Sequence, residues 1–295
     1  MNCRVQLAQV EPTLGNIDAN LAMHLAEIDL AVKAKADLVL FPELSLSGYF
    51  LKDQTAEVAL ALDAPPIRRL LERSKEISIA VGFAERARDG RIYNACAFLE
   101  DGKVLAVHRK VHLVQYGMFE EGRDFAAGER FDVVESRRGR FGILICEDMW
   151  HLPASWLHFL AGVDAILVPS SSPGRGVTEK EPRLRSTQVW HTLQEALALF
   201  FQTWIVYVNR VGSEDGISFS GGSRIVDPFG RETARIEGVE TGRANAEITG
   251  DALRRARVST PLRRDEKPWI VLRALESGQR ELERNEEREG GSSRA

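Results

Sequence analysis

Three side chains in this sequence have the types and placement for acyl-transfer chemistry. Cys146 ends the apolar, β-prone run 141–145 and is followed at once by Glu147 and Asp148, so a thiol sits where a buried strand gives way to polar chain. In an open α/β sheet the carboxyl ends of strands face the ligand crevice, where a nucleophile is useful. Free cysteines are also among the most buried residue types, and taken alone Cys146 reads as an inert packing residue. A thiol nucleophile needs a base to take its proton, and a cation or hydrogen-bond donor for the charge that builds on the attacked carbonyl oxygen. Glu43 follows the apolar run 38–41 and Pro42, where partial desolvation would raise its pKa toward a useful base. The competing reading is a solvated or helix-capping loop carboxylate. Lys110 lies in Val107-His108-Arg109-Lys110-Val111-His112-Leu113, at the end of a strand-like stretch. Alternation along a strand sends neighbours to opposite faces, so one of Arg109 and Lys110 can point inward. Two surface charges are the alternative. An inward lysine sharing a cleft with a carboxylate and a thiol would make a working nucleophile.

The hydrophobic pattern indicates what positions these residues. Residues 4–10 read as a strand, Asn16 caps a helix whose Ile17, Leu21, Leu25, Ile28 and Val32 recur at helical spacing, and 38–41 reads as a fully buried strand. A β-α-β start favours parallel pairing with the helix on one face. Pro65-Pro66 opens a helix running to about residue 77, ahead of a strand at 79–83. The runs 93–99 and 103–107, separated by Glu100-Asp101-Gly102, predict an antiparallel hairpin. Further strands are expected at 131–134, 140–145, 165–168, 205–208, 223–226, 233–236 and 243–248, with helices over 154–161 and 188–201. Roughly a dozen strands are too many for one flat sheet, so two packed sheets with helices outside are the economical arrangement.

The 295 residues are 44% hydrophobic and 28% charged with a formal net charge of -4, which suits one α/β domain and gives no pull toward nucleic acid or anionic membrane. Cys3, Cys96 and Cys146 are odd in number, widely spaced and without a CxxC pair, so neither a disulfide scaffold nor a structural zinc site is expected. The amino terminus enters strand-like sequence directly, without a signal-peptide pattern, and no apolar run is long enough for a bilayer. The expected setting is a reducing cytoplasm that keeps Cys146 a thiol. Residues 278–295 are dominated by Glu, Arg, Gly and Ser, and are expected to form a charged tail, frayed and then disordered, after a domain over 1–277. The apolar stretch 269–272 before it could pack on the body or on a second subunit, or simply close its own domain.

Phe41-Pro42-Glu43, the lysine block 108–113 and Ile145-Cys146-Glu147-Asp148 resemble, in order, the three signature blocks of the nitrilase, or carbon-nitrogen hydrolase, superfamily. The resemblance covers about residues 3 to 250. It implies an α/β four-layer α-β-β-α sandwich that dimerises, with no metal or organic cofactor. It also implies Glu43 as general base, Lys110 as the cation facing the tetrahedral intermediate, and Cys146 as nucleophile. A second family glutamate aligns with Glu121, adjacent Glu120 leaving a one-residue ambiguity, and would orient Lys110 and the leaving group. On that mechanism the thiolate attacks an amide carbon, ammonia leaves with a proton from Glu43, and water hydrolyses the thioester.

Within the superfamily, residues 115–121, 146–150 and 208–212, with Ser171-Ser172-Pro173, resemble the glutaminase domain of glutamine-dependent NAD synthetases. The Cys-Trp-Glu of true nitrilases is absent, as are the Cys-Tyr-Asp and Arg-Arg-Trp-Pro patterns of several amidases and carbamoylases, which favours an amide over a nitrile. No Ser-Gly-Gly-x-Asp-Ser loop of the synthetase half occurs in the sequence. The expectation is a free-standing amidase acting on a small carboxamide or carbamoyl compound. The alternatives are a subunit supplying ammonia to a separate synthetase and a true nitrilase. Tyr49, Tyr116, Glu147, Trp150, Ser171 and Arg175 flank the motifs as candidate substrate contacts, with packing roles equally open. His112 is expected to support the site by a hydrogen bond rather than serve as base, and Trp190 and His191 to pack. The expected partners are the small-molecule amide and further copies of the chain, as a homodimer or higher homo-oligomer.

Overall fold

The computed structural model describes residues 1–175 and 185–292, the last twelve of these by backbone alone. It divides into two units, Met1–Ser259 and Thr260–Ala295. The strands of the first unit, in chain order, are β1 (Asn2–Gln9), β2 (Leu38–Leu40), β3 (Ser78–Arg86), β4 (Ile92–Glu100), β5 (Lys103–Arg109), β6 (Val133–Ser136), β7 (Gly139–Ile143), β8 (Ala165–Ser170), β9 (Trp204–Asn209), β10 (Ser213–Glu214), β11 (Ile217–Ser218), β12 (Arg224–Val226), β13 (Glu232–Arg235) and β14 (Gly242–Thr249). They build two 6-stranded sheets, ordered β14-β1-β2-β3-β4-β5 and β13-β12-β9-β8-β7-β6, with β10-β11 as a separate ribbon. β1, β2 and β3 run parallel, as do β7, β8 and β9, so each sheet has a parallel centre and antiparallel rims.

The residue pattern explains the layers. In 38–41 every residue is apolar because the strand is covered on both sides: Leu38 and Leu40 point between the sheets, while Val39 and Phe41 point outward beneath helices. β8 does the same, with Ala165 and Leu167 inward and Ile166 and Val168 outward. Between the sheets, Val5, Leu7, Leu40 and Phe98 meet Phe141, Ile143, Leu167 and Val206, and the Phe98 and Phe141 rings stack with centroids 5.5 Å apart. Helices Ile17–Lys33 and Pro65–Arg73 place Ile28 and Leu70 on the outer face of the first sheet. Helices Leu152–Ala161 and Arg185–Phe201 place Ala154, Trp190 and Leu197 on that of the second. This is the four-layer α-β-β-α sandwich expected from the sequence.

Local signals account for several boundaries. Asn16 caps its helix, the side-chain oxygen accepting from the Ala19 N–H at 3.0 Å. The helix opened by Pro65 stops at Arg73 instead of running to about residue 77. Ser74 is drawn into the β4–β5 turn: its carbonyl accepts from the Asp101 N–H at 2.9 Å and its hydroxyl from the Gly102 N–H at 3.0 Å. The second unit contains helices Leu262–Asp265 and Pro268–Ser292. Position 278, where the charged tail was expected to begin, falls within the longer helix, and the last residues of that tail, 293–295, lie outside the described residues. Among the described residues no helix is long and apolar enough to cross a membrane.

Candidate active site

The candidate residues collect where strands end. β2 stops at Leu40, and Phe41-Pro42 carry the chain out of the sheet to Glu43. The loop beyond is fixed from several sides: Leu44 takes φ 50°, the Leu46 N–H donates to Gly82 O at 3.0 Å, and Nε2 of buried His24 lies 2.9 Å from Ser45 Oγ. β5 ends at Arg109, and strand alternation separates it from its neighbour. Arg109 turns to Glu85 with two hydrogen bonds of 2.6 and 2.8 Å, while Lys110 points inward and is fully buried. The Lys110 backbone is gripped at both ends, its N–H donating to Asn94 O at 2.8 Å and its carbonyl accepting from Gly128 N–H at 2.8 Å.

Inside, Lys110 Nζ donates to Glu43 Oε1 at 2.7 Å and to Glu121 Oε1 at 2.7 Å. Of the two neighbouring glutamates, Glu120 is exposed and Glu121 is buried against the lysine. Glu121 also accepts from the Tyr49 hydroxyl at Oε1 and from the Val114 N–H at Oε2, 2.9 Å away. Glu43 receives three further hydrogen bonds: Asn94 Nδ2 to Oε1 at 2.7 Å, Ser171 N–H to Oε2 at 2.8 Å, and Ser171 Oγ to its backbone carbonyl at 2.9 Å. Buried charges persist only when paired and hydrogen-bonded, and these are.

Cys146 opens the short 3₁₀ turn Cys146–Trp150 after β7, with φ 46°. The left-handed region is costly for a residue with a Cβ, and such strain is held in place by its surroundings. Here the tie is Asp148, fully buried. Its Oδ1 accepts from Val111 N–H at 3.1 Å, His112 N–H at 2.8 Å and His112 Nδ1 at 3.1 Å, and its Oδ2 accepts from Ile145 N–H at 3.2 Å and lies 2.8 Å from His108 Nε2. One carboxylate thus joins the residue before the thiol to the residue after Lys110, across the two sheets. The His112 ring stacks on that of His151, centroids 3.6 Å apart.

Burial pushes the Glu43 carboxyl above its ordinary pKa, against the pull of Lys110. Burial works against the Lys110 charge, but the Glu121 and Glu43 carboxylates outweigh it and hold the ammonium well above its usual value. The Cys146 thiol is pushed well up by burial and then by the Glu43 charge, with Lys110 opposing. At rest the thiol therefore keeps its proton and needs a base beside it. For Asp148, burial acts upward but the hydrogen bonds from His108 and His112 win, holding it well below the carboxylate range.

The thiol is partly exposed to a cavity of about 310 Å³. Tyr49, Tyr116, Glu147, Trp150, Ser171 and Arg175 all line it, with Phe119 and Trp190 among the others. The Tyr116 hydroxyl reaches both Glu147 carboxylate oxygens at 3.0 Å. Trp190 packs as its helix pattern indicated, but it also walls the cavity, edge-on to Trp150 at 5.3 Å and donating to Ser172 Oγ at 2.7 Å. His191 lines a different cavity. A larger hollow of about 570 Å³ beside Glu85, Tyr93 and Arg109 contains no nucleophile. Among the described residues no cluster of His, Cys, Asp and Glu could hold a metal ion.

Sequence reasoning missed Asn94 and the tie made by Asp148. Asn94 did leave a signal, a lone amide in the buried strand IYNACAFLE.

The carbon-nitrogen hydrolase family profile matches residues 4–258, and the chain belongs to that family, whose nitrilase-superfamily members cleave C–N bonds other than peptide bonds. It is similar to a glutamine-dependent NAD(+) synthetase from Acinetobacter baylyi, 34% identical over 77% of this chain and 40% of that one. It is also similar to an (R)-stereoselective amidase from a Pseudomonas species, 31% identical over 95% and 97% of the two chains. A solved amidase from a Nesterenkonia species shares 26% identity with a TM-score of 0.73, covering 85% of this chain and 92% of that one. The chain spans about 40% of the length of the NAD synthetase it matches.

Proposed function

We propose that the protein hydrolyses a small carboxamide to the acid and ammonia through a thioester on Cys146. The observation that carries this reading is Lys110, buried between Glu43 and Glu121, with Ser171 bonded to Glu43 and lining, beside Cys146, the cavity described above. Glu43 takes the thiol proton as the sulfur attacks the amide carbon. The oxyanion faces the Lys110 ammonium and the Glu147 backbone N–H at the head of the turn, one such donor being worth about 3 kcal/mol in the transition state. Glu43 then passes the proton to the leaving nitrogen and ammonia departs. Water, deprotonated by Glu43, cleaves the thioester and frees the thiol. Glu121 holds Lys110 by a second hydrogen bond.

The cavity, about 310 Å³, lies at the small end of ligand sites, which supports a small substrate. Similarity to an amidase along nearly the whole chain supports an amide over a nitrile. Similarity to NAD synthetases supports a second reading, in which ammonia from an ω-amide is passed to a separate acceptor. Ammonia release by the purified protein from glutamine, asparagine, short aliphatic amides, N-carbamoyl amino acids and nitriles tests both. Turnover that survives Cys146→Ala sinks the thioester, and a protein inert on every compound until a partner is added favours the second reading.

Assembly as a homodimer is part of the proposal. Leu152 and Leu157 on one outer helix, with Val189 and Phe200 on the other, leave large apolar side chains exposed, as a face awaiting a second copy would. Three free cysteines, one of them the nucleophile, suit a reducing cytoplasm.

A further inference from the structure

Asn94 has no part in the mechanism above, yet it touches both charged ends of the site. Its backbone carbonyl accepts from Lys110 N–H at 2.8 Å and its side-chain Nδ2 donates to Glu43 Oε1 at 2.7 Å. It is fully buried in β4, among Tyr93, Ala95 and Cys96. The other end of the amide is unsatisfied: Oδ1 is buried and has no hydrogen-bond partner among the described residues. An unpaired buried carbonyl oxygen is unfavourable. Flipping the amide would not help, because it would set Oδ1 against the Glu43 carboxylate. The orientation is dictated by Glu43 at the expense of Oδ1, as befits a residue kept for the carboxylate rather than for strand packing.

The contact is also directional. Asn94 Nδ2 and Lys110 Nζ both load Oε1. Oε2 carries neither of these donors and accepts from Ser171 N–H at 2.8 Å, from a residue that lines the cavity beside Cys146.

We propose that Asn94 is a positioning residue for the general base: its neutral amide pins Glu43 Oε1 beside Lys110, favours the ionised carboxylate and leaves Oε2 to the Ser171 N–H on the cavity side. A neutral donor holds the carboxylate without the loss of basicity that a second cation would impose.

The inference rests on Glu43 being the base, and one set of measurements separates the two. kcat and KM are followed across pH for the intact protein and for Asn94→Ala, Asn94→Ser, Asn94→Asp and Glu43→Gln, on the amide turned over fastest. The pH dependence of Cys146 alkylation by iodoacetamide reads the same ionisation without turnover. Losing the donor disfavours the ionised carboxylate, so the acidic limb of kcat/KM moves to higher pH in Asn94→Ala, and further in Asn94→Asp, where a second carboxylate opposes ionisation. Asn94→Ser, with its shorter donor, lies between the intact protein and Asn94→Ala. kcat falls roughly tenfold or more while KM stays within about threefold. An acidic limb and alkylation profile unmoved in folded variants overturn the inference, and so does failure of all three Asn94 variants to fold, which would make Asn94 a folding residue. With Glu43→Gln inactive, the base assignment survives either result; turnover retained by Glu43→Gln overturns both.

Discussion

Gly82 and Glu43 are packed so closely that no methyl group fits between them. A Cβ on Gly82 would lie 2.4 Å from Pro42 O, 2.6 Å from Leu44 N and 2.9 Å from Glu43 Cα. All three are backbone atoms, so no side chain can rotate out of the way. β3 is therefore the floor on which the Glu43 loop rests, and the height of the carboxylate above the site is set by the absence of a side chain.

Gly82→Ala is expected to lift that loop. Overpacking of this kind costs about 1–3 kcal/mol of stability. A carboxylate misplaced by about 1 Å costs on the order of a hundredfold in rate. Urea unfolding and ammonia release should show a folded protein that has lost far more activity than stability. Normal turnover in folded Gly82→Ala would show that the site tolerates a displaced Glu43 loop.

Asp148→Asn tests the tie between the Cys146 turn and the Lys110 turn. Against its burial, the hydrogen bonds from His108 and His112 hold the Asp148 pKa well below the usual carboxylate range. A depressed folded-state pKa means stability that is fully present above the unfolded-state pKa, about 3.9, and lost as pH falls toward the folded value. The variant should lose about 3 kcal/mol at pH 7, as expected for hydrogen bonds to a buried charge. The gap from the intact protein should narrow as pH drops below about 4. Thermal melts at several pH values give the answer, and a gap that ignores pH would assign the loss to packing alone.

What the sequence made legible follows from the range of the forces involved. Residues 38–41 could be read because both faces of β2 are apolar, a local pattern. Alternation separated Arg109 from Lys110, but which of them turns inward depends on Glu85 on β3, on Glu43 in a loop and on Glu121 at the head of the short helix Glu121–Asp124. The helix after Pro65 overshot because Ser74 answers to the β4–β5 turn, two strands further along the chain. Asn94 and the tie made by Asp148 escaped notice for the same reason: each acts by joining segments from different strands, and neither leaves a periodic trace.

The outer helical layer yields a prediction about assembly. Val189 and Phe200 lie about three turns apart on one helix, hence on one face, and Phe200 is 65% exposed. If that face joins two copies, Val189→Glu with Phe200→Glu should convert a dimer to a monomer in sedimentation velocity. An intact protein that sediments as a monomer, or a variant still dimeric, would rule this face out.

Cys146 itself separates catalysis from stability. Its φ of 46° belongs to the region glycine enters freely and other residues enter at a cost of about 1–2 kcal/mol. Cys146→Ala and Cys146→Gly should both abolish ammonia release, since neither carries a nucleophile. Their stabilities should fall in an unusual order. In regular structure glycine is less stable than alanine by about 0.5–1 kcal/mol. Here alanine keeps the strain that glycine sheds, and this outweighs the extra freedom glycine has in the unfolded chain, so Cys146→Gly should be the more stable by about 0.5 kcal/mol. Chemical denaturation of the two variants decides it. If alanine proves the more stable, the turn is not strained at Cys146. If glycine does, the nucleophile occupies a backbone conformation better suited to glycine, and the Asp148 tie across the two sheets is what holds it there.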